Sequence, residues 1–80
     1  MNTMVRLKNI NIANGIAEAD YYPENSEQCG HIVVDLSSQE YIHYEEVADY
    51  GRNYPGHAKW CLIEMAGAGD TAEERLVMWY

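Results

Sequence analysis

The dipeptide Asn14-Gly15 constrains the fold of this chain more than any other stretch. Both residues tolerate a positive φ, which a type I′ turn requires at its two central positions. The chain alternates apolar and polar residues on either side of it, with the period of a half-buried strand. We therefore predict a strand over residues 1–12 and its antiparallel return strand over residues 16–22.

The first of these strands changes phase part-way along. Val5 and Leu7 occupy odd positions, whereas the next apolar pair, Ile10 and Ile12, occupies even ones. One extra residue in a strand turns the following side chains to the other face. The change of phase predicts a β-bulge at residues 8–9.

The rest of the chain divides into three further strands and one helix. β-branched runs and alternation indicate strands, while proline in the first helical turn and glycine after the last indicate helix ends. The predicted elements are strands at residues 31–36, 40–47 and 75–80, and a helix from Pro55 or Gly56 to about Ala66 with Ala58, Leu62 and Met65 as its core stripe. The order β-β-β-β-α-β predicts a single α+β domain over residues 1–80, with one antiparallel sheet of about five strands and the helix packed on it.

Composition indicates a globular chain with an unusual charge balance. Hydrophobic residues make up 48% of its 80 residues, and no apolar run has the length of a membrane span or a secretory signal, so we expect a cytoplasmic protein. Thirteen acidic residues against five basic ones give a formal charge of −8. This excess argues against direct nucleic-acid binding, which needs clustered Lys and Arg. It favours a basic protein surface as the partner, although acidity also serves solubility.

Cysteine and histidine occur together at two places, and both suggest a metal site. Cys29 and His31 are two residues apart, while His57 and Cys61 lie one helical turn apart on the same helix face. Two thiolates and two imidazoles form the ligand set of a closed, structural Zn²⁺ site. Two alternatives stay open from the residues alone, namely unligated thiols and a Cys29–Cys61 disulfide.

Catalytic patterns are weak in this sequence. No glycine-rich phosphate loop is present, and the serines at positions 26, 37 and 38 lie in predicted loops without an activating base. Four protein ligands would close the zinc to water. We therefore expect that this protein is not an enzyme. The alternative is an enzyme with an open metal centre and hydrolytic activity.

Several stretches carry a family resemblance. Residues 19–24 (ADYYPE), 30–36 (GHIVVDL), 57–58 (HA) and 77–80 (VMWY) resemble a family of small uncharacterised bacterial and phage proteins. The short, acidic, aromatic-rich composition resembles phage-encoded type II-A anti-CRISPR proteins. That second resemblance implies binding to the Cas9–guide complex and a block of target-DNA binding or loading.

These observations combine into two hypotheses of function. In the first, the chain is a metal-binding inhibitor whose carboxylates replace phosphates on a nucleic-acid-handling effector such as Cas9. In the second, it is a structural zinc module in a host protein assembly with no inhibitory role. The predicted partner-binding residues are Glu18, Asp20, Glu24, Tyr41, Glu45 and Asp49.

Overall fold

The computed structural model describes residues 3–79 and contains five strands and one helix. The predicted order of elements is confirmed, while residues 1–2 and 80 of the predicted first and last strands lie outside the described residues. The elements are β1 (Thr3–Ala13), β2 (Ile16–Pro23), β3 (Gly30–Asp35), β4 (Glu40–Tyr44), α1 (Asn53–Ala68) and β5 (Arg75–Trp79).

The five strands form one antiparallel sheet in the order β4-β3-β2-β1-β5. β1 to β4 follow each other as a meander, and β5 returns after the helix to pair with β1. α1 packs across one face of the sheet, mainly over β1 and β2. The predicted α+β class is confirmed. Within residues 3–79 no helix is both long and apolar enough to cross a membrane.

The hairpin and the bulge of β1 lie where the sequence predicts them. Asn14 and Gly15 have φ values of 55° and 77°. The β1–β2 register shifts between Lys8 and Asn11, and Asn9 has a φ of 54°. Asparagine adopts this left-handed conformation more readily than most residues, so the bulge is supported by local chemistry.

The helix is longer than predicted at both ends. It begins at Asn53, which places Pro55 within the first turn. Backbone N–H groups in the first turn have no intrahelical acceptor, so the N–H that proline lacks is not needed there. It continues past the predicted end at Ala66, because the left-handed cap is Gly69, with a φ of 69°. The N–H of Gly69 donates to the carbonyl of Ala66, which is the usual geometry of a glycine C-cap.

β4 is shorter than predicted, because the predicted strand over residues 40–47 ends at Tyr44. The N–H of Glu45 still donates to the His31 carbonyl at 3.1 Å. The Glu45 carbonyl, however, accepts from the Tyr21 hydroxyl at 2.6 Å, so it is not available to continue the ladder with β3. The chain then turns, with the N–H of Tyr50 donating to the Val47 carbonyl at 3.3 Å.

The core lies between the helix and the sheet face that it covers. Tyr21 is its largest fully buried side chain, and its hydroxyl donates to the Glu45 carbonyl at 2.6 Å. Gly30 faces the same ring, and a Cβ there would overlap both the ring and that carbonyl. The predicted helix stripe of Ala58, Leu62 and Met65 is confirmed as part of this core. The buried hydrophobic residues of the whole core are Val5, Leu7, Ile10, Ala17, Ala19, Tyr21, Ile32, Val34, Val47, Ala58, Leu62 and Met65.

Candidate functional site

The sheet has one face that the helix does not cover, and we call it the open face. Residues directly opposite each other in antiparallel strands project to the same side. Because Ala19 and Ile32 are paired and buried under the helix, the neighbouring pair Asp20 and His31 projects to the open face. By the same register the open face also carries Arg6, Lys8, Glu18, Tyr22, Val33, His43, Leu76 and Met78.

The structure does not bring the four predicted zinc ligands together. His31 belongs to the open face, and Cys29, two residues earlier, is exposed beside Tyr22. His57 and Cys61 belong to α1, on the covered side of the sheet. The sheet therefore separates the C-x-H half from the H-x3-C half. No group of three or more His, Cys, Asp or Glu side chains arranged to hold a metal occurs among residues 3–79.

Each half of the predicted zinc site has other neighbours. The His57 ring stacks on the Trp79 ring, with centroids 3.8 Å apart and planes 15° apart. Burial raises the pKa of the half-buried Cys61 thiol. Cys29 and Cys61 are both free thiols, so the disulfide between them that was the alternative is not present. Zinc binding by this chain stays a prediction, but these four ligands do not form one site.

His31 is the centre of an ionic cluster on the open face. Its Nδ1 lies 2.8 Å from Asp20 Oδ1 and its Nε2 lies 3.3 Å from Glu18 Oε2. A neutral imidazole has one N–H and cannot donate to both carboxylates, whereas the imidazolium can. The hydrogen bond to Asp20 is the main reason that the pKa of His31 is raised. We call His31, Glu18 and Asp20 the imidazole cluster.

Asp20 is held in place from two sides. Its Oδ2 accepts a hydrogen bond of 2.8 Å from the Asn9 side chain, which projects from the β1 bulge. Burial acts to raise the pKa of Asp20, but the hydrogen bonds from Asn9 and His31 outweigh it and lower the pKa. The bulge therefore has a role in the site, because it presents Asn9 to a carboxylate of the neighbouring strand.

A second histidine lies next to the cluster on the edge strand. The His43 and His31 rings have centroids 6.2 Å apart, and His43 Nε2 lies 2.7 Å from Glu45 Oε2. Both members of the His43–Glu45 pair are about half exposed. Among residues 3–79, the open face thus carries two histidines, each beside a carboxylate.

Three of the six predicted partner-binding residues lie together on the open face, and the other three lie at separate places. Glu18, Asp20 and Glu45 lie in or beside the imidazole cluster and can act together. Tyr41 lies on the other side of β4, with the Lys59 Nζ 4.9 Å from its ring centroid. Asp49 lies in a separate exposed turn.

Glu24 is a structural carboxylate. Its Oε2 accepts hydrogen bonds from the Met4 backbone N–H and from the Tyr54 hydroxyl, both at 2.9 Å. These bonds tie β1 and the first helical turn to the end of β2. Sequence reasoning missed this role, because both donors are distant in the chain.

A cleft lies between β4 and the start of the helix. It has a volume of about 370 Å³ and is lined by Tyr41, Tyr44 and Arg52. Burial and the hydrogen bond to Glu46 raise the pKa of Tyr44 to about 12. The lining consists of two phenols and an exposed guanidinium that lies 3.6 Å from a Glu46 carboxylate oxygen.

Comparisons with known proteins give this chain no relative. No family model matches it, and neither a curated protein nor a solved structure is similar to it at a significant level.

Proposed function

We propose that this protein is an acidic inhibitor that binds a basic, nucleic-acid-handling surface of an effector protein, with Cas9 as the candidate effector. The observation that carries the proposal is the position of Glu18 and Asp20. Both project from β2, the central strand of the sheet, onto the face that the helix leaves uncovered. An uncovered sheet face with central carboxylates suits a basic surface.

The charges of the open face support this assignment. Among residues 3–79, the only carboxylates that pair with an Arg or Lys are Glu46 and Asp70. Lys8 is opposite Asp20 in the register, but its Nζ lies over the Tyr22 ring, 5.5 Å from the centroid. The β2 carboxylates are therefore free of strong cationic partners other than His31.

The geometry of the carboxylates also suits a phosphate-binding surface. Alternate residues of a strand lie roughly 6–7 Å apart, which is about two axial steps of one DNA strand. Glu18 and Asp20 are alternate residues of β2, and His31 fixes both of their carboxylates by its two ring nitrogens. Fixed side chains lose less entropy on binding than free ones. Glu18 and Asp20 are thus a pre-organised pair of carboxylates, bridged by the His31 ring.

The test measures target-DNA binding by Cas9–guide complexes in the presence of the purified protein. We expect the protein to prevent DNA binding in at least one Cas9 orthologue, and the inhibition to weaken as salt rises, because charge steering is screened. Unimpeded DNA binding at excess protein in all orthologues tested would overturn the choice of Cas9. Full inhibition that does not depend on salt would overturn the electrostatic basis.

Paired variants test the choice of surface. The variant Glu18→Gln/Asp20→Asn removes two charges from the open face, and Glu64→Gln/Glu74→Gln removes two exposed charges elsewhere. We expect the first variant to weaken inhibition about tenfold or more and the second to change it little. Equal losses would mean that net charge alone acts, and would contradict a role for the open face.

A further inference from the structure

β5 is an edge strand whose exposed side carries apolar residues. Leu76 is 52% exposed and Met78 is 56% exposed, and both project onto the open face. β5 pairs with β1 on one side only, because it is the last strand in the order of the sheet. An edge of this kind can pair with another strand through its free backbone groups.

The backbone directions show which groups of β5 are free. The Met4 N–H donates to the Glu24 carboxylate at 2.9 Å, and the Met4 carbonyl accepts from the Glu24 N–H at 3.0 Å. Both backbone groups of Met4 therefore point towards β2 and away from β5. Met4 is opposite Met78, so the pair is not hydrogen-bonded and the backbone groups of Met78 point outwards. By alternation those of Leu76 also point outwards.

The other edge of the sheet is protected in ways that β5 is not. β4 contains an irregularity opposite Val33 and Val34, which leaves Ile42 unpaired. A bulge on an edge strand hinders pairing with other chains. β5 keeps a regular register with β1 over all five of its residues and contains neither proline nor an acidic residue.

We propose that two copies of this chain pair antiparallel through β5, about a two-fold axis at Val77. In this register Leu76 of each copy is opposite Met78 of the other. These are the residues whose backbone groups point outwards, so each of the two pairs forms both hydrogen bonds of an antiparallel ladder. Their exposed side chains also cover each other on the open face. Val77 meets Val77 of the second copy as the non-hydrogen-bonded pair between them.

The sequence of β5 is self-complementary in charge about this axis. Its only charged residue, Arg75, is opposite Trp79 of the second copy, so no like charges meet across the strands. Opposing like charges destabilise a pair of strands, whereas apolar pairs stabilise it. Each copy carries a formal charge of −8, which repels the other at long range. Dimerisation should therefore strengthen as salt rises, because salt screens this repulsion.

The first test is analytical ultracentrifugation of the full chain over concentrations up to about millimolar, a range that reaches weak complexes. We expect reversible dimers that become tighter with salt. In the variant Leu76→Lys/Met78→Lys, lysine is opposite lysine in both pairs, and dimerisation should weaken by about tenfold or more. The matched control Ile16→Lys/Ile42→Lys adds the same charge at two other exposed apolar residues and should still dimerise. A monomer at every concentration, or equal loss of dimer in both variants, would overturn the proposal.

The second test checks the register. Cα atoms of a non-hydrogen-bonded antiparallel pair lie about 4.5 Å apart, within the range that a disulfide spans. In a background with Cys29→Ser and Cys61→Ser, Val77→Cys should form a cross-linked dimer on mild oxidation, whereas Ile42→Cys should not. Circular dichroism of each reduced variant checks that it is folded. Failure of the folded Val77→Cys variant to cross-link, or equally efficient cross-linking through position 42, would contradict the two-fold axis at Val77.

Discussion

The two faces of the sheet use the same strands in opposite ways. On the covered face Leu7 and Ile32 are buried against the helix, and no buried polar or charged residue occurs in the described part of the chain. On the open face the neighbouring residue His31 is partly exposed and bonded to two carboxylates. Because successive residues of a strand alternate between the faces, one sequence holds the fold with half of its strand residues and leaves the other half available for binding.

The largest expected difference between the faces is in the cost of truncating a leucine. Leu62 is 0% exposed under the sheet, whereas Leu76 is 52% exposed on the open face. We expect Leu62→Ala to cost about 3 kcal/mol and to lower the Tm by more than about 10 °C, because it leaves a cavity in a small core. Leu76→Ala should change stability by about 0.5 kcal/mol or less in the monomer.

Thermal and denaturant unfolding, followed by circular dichroism at low protein concentration, measures both leucine variants. Low concentration keeps any dimer contact out of the comparison. Similar losses in the two variants would show that the open face contributes to the fold as the covered face does.

A smaller effect is expected from pH, and it belongs to the open face. The pKa of His31 is raised above its ordinary value of 6.5, so its contribution to stability is fully present below pH 6.5 and is lost as pH rises through the raised value. The pKa of Asp20 is lowered below 3.8, so its contribution is present above pH 3.8 and is lost as pH falls through the lowered value. The imidazole cluster should therefore stabilise the folded protein most between pH 3.8 and pH 6.5.

The variant His31→Gln tests this expectation. The difference in free energy of unfolding between the protein and the variant should be largest near pH 5.5 and smaller near pH 8.5, within the range over which histidine titrates. NMR titration of the assigned His31 ring protons follows this group directly. A difference that does not change with pH would show that His31 acts by packing alone.

The smallest expected effect is that of metal removal. Because the sheet lies between Cys29 and Cys61, we expect a chelator to leave the Tm unchanged and Cys61→Ser to cost about 1 kcal/mol or less. Metal analysis of the purified protein gives the zinc content, and Cys29→Ser, at an exposed thiol, is the control. Stoichiometric zinc with a Tm that collapses on chelation would show that the helix and β3 rearrange to join the two halves.

Local chemistry made most of the fold predictable. The turn at Asn14 and Gly15 and the bulge at Asn9 depend on which residues tolerate a positive φ, and this can be read from a few neighbouring positions. The helix ends were less predictable, because either Gly67 or Gly69 can cap a helix, and the residues alone do not say that Gly69 is the one that adopts the left-handed conformation.

The site depends on non-local register, which the sequence does not state. Asp20 meets His31 because β2 and β3 pair in a register that places them opposite each other, and no local pattern fixes that register. One signal in the sequence nevertheless indicates that the predicted ligands lie on two sides of the sheet. Ile32 and Val34 are the buried positions of β3, so the parity of the strand places His31 on the opposite side from the helix. The spacing of the ligands in the sequence does not contain that information.

The pairing of β1 with β5 has a consequence for how the chain reaches this fold. The strands β1 to β4 pair with their neighbours in sequence, but Thr3 pairs with Trp79 across almost the whole described chain. Contacts between distant residues form slowly, since the loop between them must close before any contact is gained. The meander can therefore assemble while β1 is still an open edge, and we expect the arrival of β5 to be the step that sets the folding rate.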